Sequence, residues 1–255
     1  MKAINTIALA TFRELLRNKI LHSIFAFLLL LLCVSALFGS VTIGDRIAVI
    51  KDFGLFALSL AGSGVVVISG VNLLDKELKQ KTIYNVLSKP VSRTQFLVGK
   101  FLGLVILVSV LVSLMGVCIV LFTAGFEGQI DWRLFQSIFL VMLEQIILAS
   151  VAILFSSIVL TTSLAGVFTF AVYLAGHSVA ALLTFTEDTT AIQASVLKSI
   201  YYILPDLSVY NQTTALYYQH GLDPSFYVYA TFYAFSYSTV CILISSLIFR
   251  RRDLP

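Results

Sequence analysis

The chain has 255 residues, of which 59% are hydrophobic and 12% charged, with a formal net charge of +4 at pH 7. Soluble domains carry about 25% charged residues, and one aqueous core of this length could not hide so much apolar surface. A water-soluble protein is therefore excluded, and lipid must be the solvent for much of the chain. The positive charge points to cytoplasmic loops rich in Lys and Arg, not to nucleic acid. Cys33, Cys118 and Cys241 lie in apolar runs, where cysteine acts as a small hydrophobe. His22, His177 and His220 lack metal-ligand spacing, so neither a disulfide nor a metal site is expected.

Residues 1–19 place Ile4, Ile7, Ala8, Phe12, Leu15 and Leu16 on one helical face, with Lys2, Asn5, Arg13, Glu14, Arg17 and Asn18 opposite. That pattern predicts an amphipathic interfacial helix. A first span follows at about 20–39. Val34-Ser35-Ala36 imitates a signal-peptide cleavage site, but the long amphipathic stretch before the run favours a retained span. A short polar loop with Asp45, Arg46, Lys51 and Asp52 precedes a Gly- and Ser-rich second span at 53–74. A polar loop at 75–95 leads to a long third span at 96–122 and a fourth at 134–155. After a nearly uncharged turn comes a fifth at 164–185, then an outer segment at 186–224 and a last span at 226–249. Each approaches or exceeds the roughly 20 apolar residues that cross a 30 Å hydrocarbon layer. The expected fold is thus all-α and integral to the membrane, six transmembrane helices in one domain spanning 1–255.

Basic residues set the orientation. Thirteen of the 17 Lys and Arg fall in the N-terminal helix, the 75–100 region and the C-terminal tail. The positive-inside rule then places both termini and that loop in the cytoplasm. Nine of the 11 tyrosines lie between Tyr201 and Tyr237, which predicts that the 186–224 segment lies against the outer membrane surface or dips into it. Residues 191–204 read as a short helix, and Asp206 and Asn211 follow Pro205 in a turn-like stretch.

Catalytic motifs are sparse. Gly99-Lys100 lacks the upstream glycine of a phosphate loop, so ATP hydrolysis is not expected in this chain. Ala61-Gly62-Ser63-Gly64 resembles the G-x-S-G of rhomboid proteases, and an intramembrane protease would need Ser63 and His177 side by side. Small residues at such places more often serve close helix packing, the role expected of Gly62, Gly64, Gly99 and Gly103. Glu144 is the one carboxylate deep in a span, with Gln145 beside it and His177 in the fifth span. An intramembrane carboxylate faces the protein interior, either lining a pathway or bonding across a helix or dimer seam. In the 75–95 loop, Ile83, Val86 and Leu87 share one helical face, and Pro90 marks a boundary. This amphipathic cytoplasmic helix suits either a groove on a soluble partner or the lipid surface.

The run Glu77, Thr82, Leu87-Ser88, Pro90-Val91-Ser92-Arg93 and Gly99-Lys100-Phe101-Leu102 resembles the second-loop signature of ABC-2 type permeases, E…G-T…L-L-x-x-P-V-S-R…G-K-x-L. Lys81 stands where the family often has Gly. Arg13-Glu14-Leu15 and Arg17-Asn18-Lys19 in the N-terminal helix and the six-span layout extend the resemblance over essentially the whole chain. The compact layout is similar to the NosY-like branch, which serves nitrous-oxide-reductase maturation. The resemblance implies a type V permease fold and a homodimer in the lipid of the bacterial cytoplasmic membrane. Each copy would be seated on a cytoplasmic ABC ATPase subunit that carries the ATP and Mg, with no cofactor in this chain. Glu77, Thr82, Ile83, Val86, Leu87, Pro90 and Arg93 would form the coupling interface. Export is the expected direction. The alternative is a subunit that transmits force to an extracytoplasmic accessory protein without moving a solute.

Overall fold

Hydrocarbon leaves backbone polar groups only one another as partners, so apolar runs of this length fold as helices. The computed structural model describes residues 2–17, 24, 26, 29–31, 33–34, 46–79, 92–159, 161–180, 198–199, 201–211 and 223–251. Its helices are α1 (Lys2–Leu16), α2 (Arg46–Lys79), α3 (Arg93–Glu127), α4 (Trp132–Ile158), α5 (Thr162–Ser178) and α6 (Pro224–Arg251), with a 3-10 turn at Ser208–Tyr210 before α6. Among the described residues, α2, α3, α4 and α6 are long and apolar enough to cross a membrane. Helix α5 has 17 residues, a rise of about 26 Å, and the expected fifth span continues into residues outside the described set. Most of the expected first span also lies outside it, though Ile24 and Leu31 pack against the core.

Helix α4 is the hub. Eighteen of its 27 residues are buried, and it touches α2, α3, α5 and α6. Helix α6, by contrast, has only 33% of its apolar window buried and shows one face outward. The outward residues, among them Phe232, Phe235 and Leu247, are apolar, as lipid-facing positions must be.

Two helices begin earlier than the sequence predicts. The expected loop at Arg46 to Asp52 forms about the first two turns of α2, because Lys51 has a counter-ion. Its Nζ lies 2.7 Å from Asp131 Oδ2, and the ammonium is nearly buried. Helix α3 begins at Arg93 because Ser92 closes a capping box: Ser92 Oγ accepts from the Gln95 amide, and Gln95 Oε1 accepts from the Ser92 amide. Gly128, at φ +71°, ends α3 by donating its amide to Ala124 O. Asp131 then caps α4 by accepting from the Arg133 amide. One carboxylate thus starts α4 and ties the α3–α4 hairpin to α2.

The apolar face of α1 meets protein. At Gly99 an added Cβ would lie 2.8 Å from Ile7 Cβ, and at Gly103 one would lie 2.6 Å from Thr11 Cβ and 2.7 Å from Ala8 O. The two glycines form the trough that admits α1. Lys100, between them, is buried and reaches Glu14 of α1 at 3.7 Å.

Burial raises the Asp131 carboxyl, but the Lys51 hydrogen bond, the Arg133 amide and both cationic charges outweigh it, and the net pKa lies below its ordinary 3.8. A depressed pKa stabilises the fold above the ordinary carboxylate range, and that contribution is lost as pH falls through the folded-state value. Asp131→Ala is expected to cost on the order of 2 kcal/mol in detergent unfolding, with Lys51→Met/Asp131→Ala recovering most of it. The parent's advantage over Asp131→Ala should be constant above about pH 5 and shrink below pH 4.

Candidate functional site

A polar cluster sits halfway along the hub. Glu144 is the thirteenth residue of the 27-residue α4 span, and Ser59 holds the same place in the Ile47–Leu73 span of α2. Ser59 Oγ donates to Glu144 Oε1 at 2.9 Å and is 3.2 Å from Oε2. That spends its only hydrogen, so the Tyr173 hydroxyl of α5, 3.0 Å from Ser59 Oγ, must supply the hydrogen of their contact. His177, one turn beyond Tyr173, places Nε2 3.6 Å from Glu144 Oε1 and Nδ1 3.0 Å from Tyr173 O. Glu144, Ser59 and Tyr173 are buried, while His177 keeps a quarter of its side chain exposed. Gln145 Nε2 donates to Ser59 O, and its amide lies over Gly62, where an added Cβ would be 2.9 Å from Gln145 Cδ. Gln145 Oε1 is buried without a partner among the described residues.

A bent segment covers this cluster at the end away from Lys100 and Arg250. The Leu207 amide donates to Gly176 O at the end of α5. Asp206 Oδ1 accepts from the Ser208 amide and hydroxyl, which shapes the 3-10 turn. Tyr210, nearly fully buried, donates its hydroxyl to Ala230 O of α6 at 2.9 Å. The Tyr233 hydroxyl accepts from the Asp206 amide, and the Tyr237 hydroxyl donates to Ile203 O. A cavity of about 30 Å³ between segment and cluster is lined by Ser59, Ser137, Glu144, His177, Tyr210 and Asn211, enough for one water.

At the basic end a second constellation joins α3 to α6. Arg93 Nη1 donates to Arg250 O at 3.2 Å and approaches Phe249 O at 3.4 Å, serving the orphan carbonyls that end α6. Thr94 Oγ1 bonds Ser246 Oγ at 2.9 Å, and Phe96 stacks on Phe249. Of the other expected coupling residues, Glu77 lies in the last turns of α2, and its side chain is outside the described set. Thr82, Ile83, Val86, Leu87 and Pro90 also lie outside it.

The sequence matches the model of the ABC-2 family transporter proteins over residues 5–254. The chain belongs to that family. No curated protein matches the sequence. Membership of the ABC-2 family makes this a multi-pass membrane protein and implies partnership with an ABC ATPase subunit. The two constellations then have distinct places in an ABC-2 protein: one adjoins the segment between α2 and α3, the other lies in the membrane core.

The structure brings Glu144, Gln145 and His177 together, at the same depth on adjoining helices. It does not join Ser63 to His177. Ser63 Oγ donates to Leu60 O, whereas His177 meets Tyr173 O and Glu144. Gly62, Gly99 and Gly103 face neighbouring helices, whereas an added Cβ at Gly64 meets nothing within 4 Å among the described residues. Sequence reasoning missed Ser59, Tyr173, Tyr210 and Asn211. Their only signal was a hydroxyl or amide in an apolar or aromatic run, shared by many positions that make no such contact.

Gly176 allows the covering segment its close approach: an added Cβ would lie 2.7 Å from Leu207 Cγ and 2.9 Å from Pro205 O. Gly176→Val is expected to lift the segment. Hydrogen exchange at the Leu207 amide should accelerate on the order of tenfold, while amides in the middle of α4 stay protected.

Proposed function

We propose that the chain is the transmembrane subunit of an ATP-driven ABC exporter, a homodimer in the bacterial cytoplasmic membrane whose ATP is hydrolysed by separate cytoplasmic ATPase subunits. The basic end of the bundle is then cytoplasmic, and residues 75–95 present the coupling helix. Ile83 and Val86 seat in a groove on the ATPase, with Glu77 and Arg93 at its two ends.

The observation that carries this reading is the Arg93 clasp. The residue at the exit of the coupling segment grips the last carbonyls of α6. Thr94 and Phe96 extend the grip over Ser246 and Phe249. A displacement of the coupling segment therefore reaches two membrane helices at once. Such a displacement drives transport only if the nucleotide states of the ATPase favour different helix arrangements. The second reading, force transmission to an extracytoplasmic accessory protein, draws support from the small size of the cavity beside Glu144, about 30 Å³; the larger cavity of about 540 Å³ among α4, α5 and α6, lined by Leu154, Val172 and Ile244, is mostly apolar.

The test is co-purification in mild detergent. The tagged parent is expected to recover an ABC ATPase, and the Ile83→Asp/Val86→Asp variant to lose it, since burying two carboxylates in an apolar groove costs several kcal/mol. Arg93→Ala should retain the ATPase with weaker nucleotide-driven movement of α6. Well-folded parent protein that recovers no ATPase under any nucleotide condition would overturn the proposal.

A further inference from the structure

The Glu144–His177 pair has a proton count fixed by its surroundings. His177 Nδ1 faces Tyr173 O at 3.0 Å. A carbonyl oxygen can only accept, so Nδ1 carries a hydrogen. That leaves Nε2 facing Glu144 Oε1 at 3.6 Å. With a proton on that side, the pair is either imidazolium with carboxylate or neutral imidazole with carboxylic acid. Both forms have net charge zero. Without it, two lone pairs face each other and one uncompensated negative charge lies at mid-span, the arrangement a bilayer interior penalises most. Ser59 supplies the carboxylate with one hydrogen and has no second to give.

We infer that Glu144 and His177 together form a proton-binding site, and that its single proton holds the 203–211 segment down over the membrane core. The segment closes the site: Tyr210 and Asn211 line the cavity beside Glu144 and His177, and Leu207 is bonded to the residue preceding His177. Releasing the proton leaves a charge that only water can stabilise. Water reaches it when the segment lifts and the water-sized cavity opens to the far surface. The closed state therefore binds one more proton than the open state, so closure is favoured at low pH and lost as pH rises.

Among the described residues, the other titratable or charged groups around the pair are few. Tyr173 on α5 and Tyr210 on the segment face it directly. Lys51 on α2 and Asp131 at the start of α4 lie two or more turns away and pair with each other. Asp206, on the segment, caps the 3-10 turn and bonds Ser208. Phenols ionise only at about pH 10, and the Lys51–Asp131 pair does not touch Glu144, so a response between about pH 5 and pH 8 that disappears with Glu144 belongs to the pair.

The experiment is amide hydrogen exchange of residues 203–211 in the full-length protein in lipid nanodiscs, from about pH 5 to pH 8, corrected for the intrinsic pH dependence of exchange. The parent should be protected at the acid end. Above its transition, opening should increase about tenfold per pH unit, the slope of one released proton. Glu144→Gln keeps an acceptor for Ser59 and an N–H for His177 while carrying no charge, so it should stay closed and pH-independent. His177→Gln leaves the carboxylate without its proton partner and should open at lower pH than the parent. It also serves should Glu144→Gln not fold. A parent without the pH-dependent opening, or a Glu144→Gln or His177→Gln variant that keeps the parent's profile, overturns the inference. The readout needs no ATPase, so its failure would leave the coupling proposal standing.

Discussion

A carboxylate halfway along a helix in hydrocarbon must find its partners on other helices, because neither water nor its own backbone can serve it. In this protein that constraint selects the neighbours of α4. Ser59 fixes the rotation and depth of α2 against α4, and Tyr173 and His177 do the same for α5. Gln145, on the adjoining face, bonds the carbonyl of that same Ser59 over Gly62. Apolar packing between helices in lipid is permissive about rotation, since one leucine surface resembles another. The polar cluster removes that freedom, and the lid formed by 203–211 follows from the need to keep bulk water off the cluster.

Helix α6 connects the two ends of the molecule. Near its end it is held by Arg93, Thr94 and Phe96. In its first half Ala230, Tyr233 and Tyr237 hold the covering segment. Between these points it is a continuous helix packed on α4 and α3. Under the proposed coupling, the ABC-2 subunit receives a displacement beside Arg93 and delivers it to the segment over Glu144. Transport and force transmission are two uses of the same linkage.

Much of the plan was legible in the sequence because the membrane imposes it. Apolar run lengths placed the cores of the crossing helices, and Glu144 stood out as the lone mid-span carboxylate. Helix starts were less legible. Lys51 and Asp52 looked like loop residues until Asp131, eighty residues on, neutralised the lysine. Gly99 and Gly103 were readable as packing residues, but not that their partner was α1, whose apolar face equally suits lipid. The partners of Glu144 were hidden for a related reason: Ser59 and His177 come from separate helices, and nothing in a local window records which face of an evenly apolar helix turns inward.

Under the proposed coupling, movement at the coupling segment reaches the far surface. The most direct measurement is the distance between spin labels at Trp132 and Tyr202, both largely exposed at that surface, with the protein bound to its ATPase in nanodiscs. Tyr202 adjoins the segment held by α6, whereas Trp132 starts the hub. The account predicts that the distance distribution shifts between the nucleotide-free and ATP-trapped states, and that Arg93→Ala abolishes the shift while the ATPase remains bound. Identical distributions in the two states, with the ATPase bound and turning over, would contradict it.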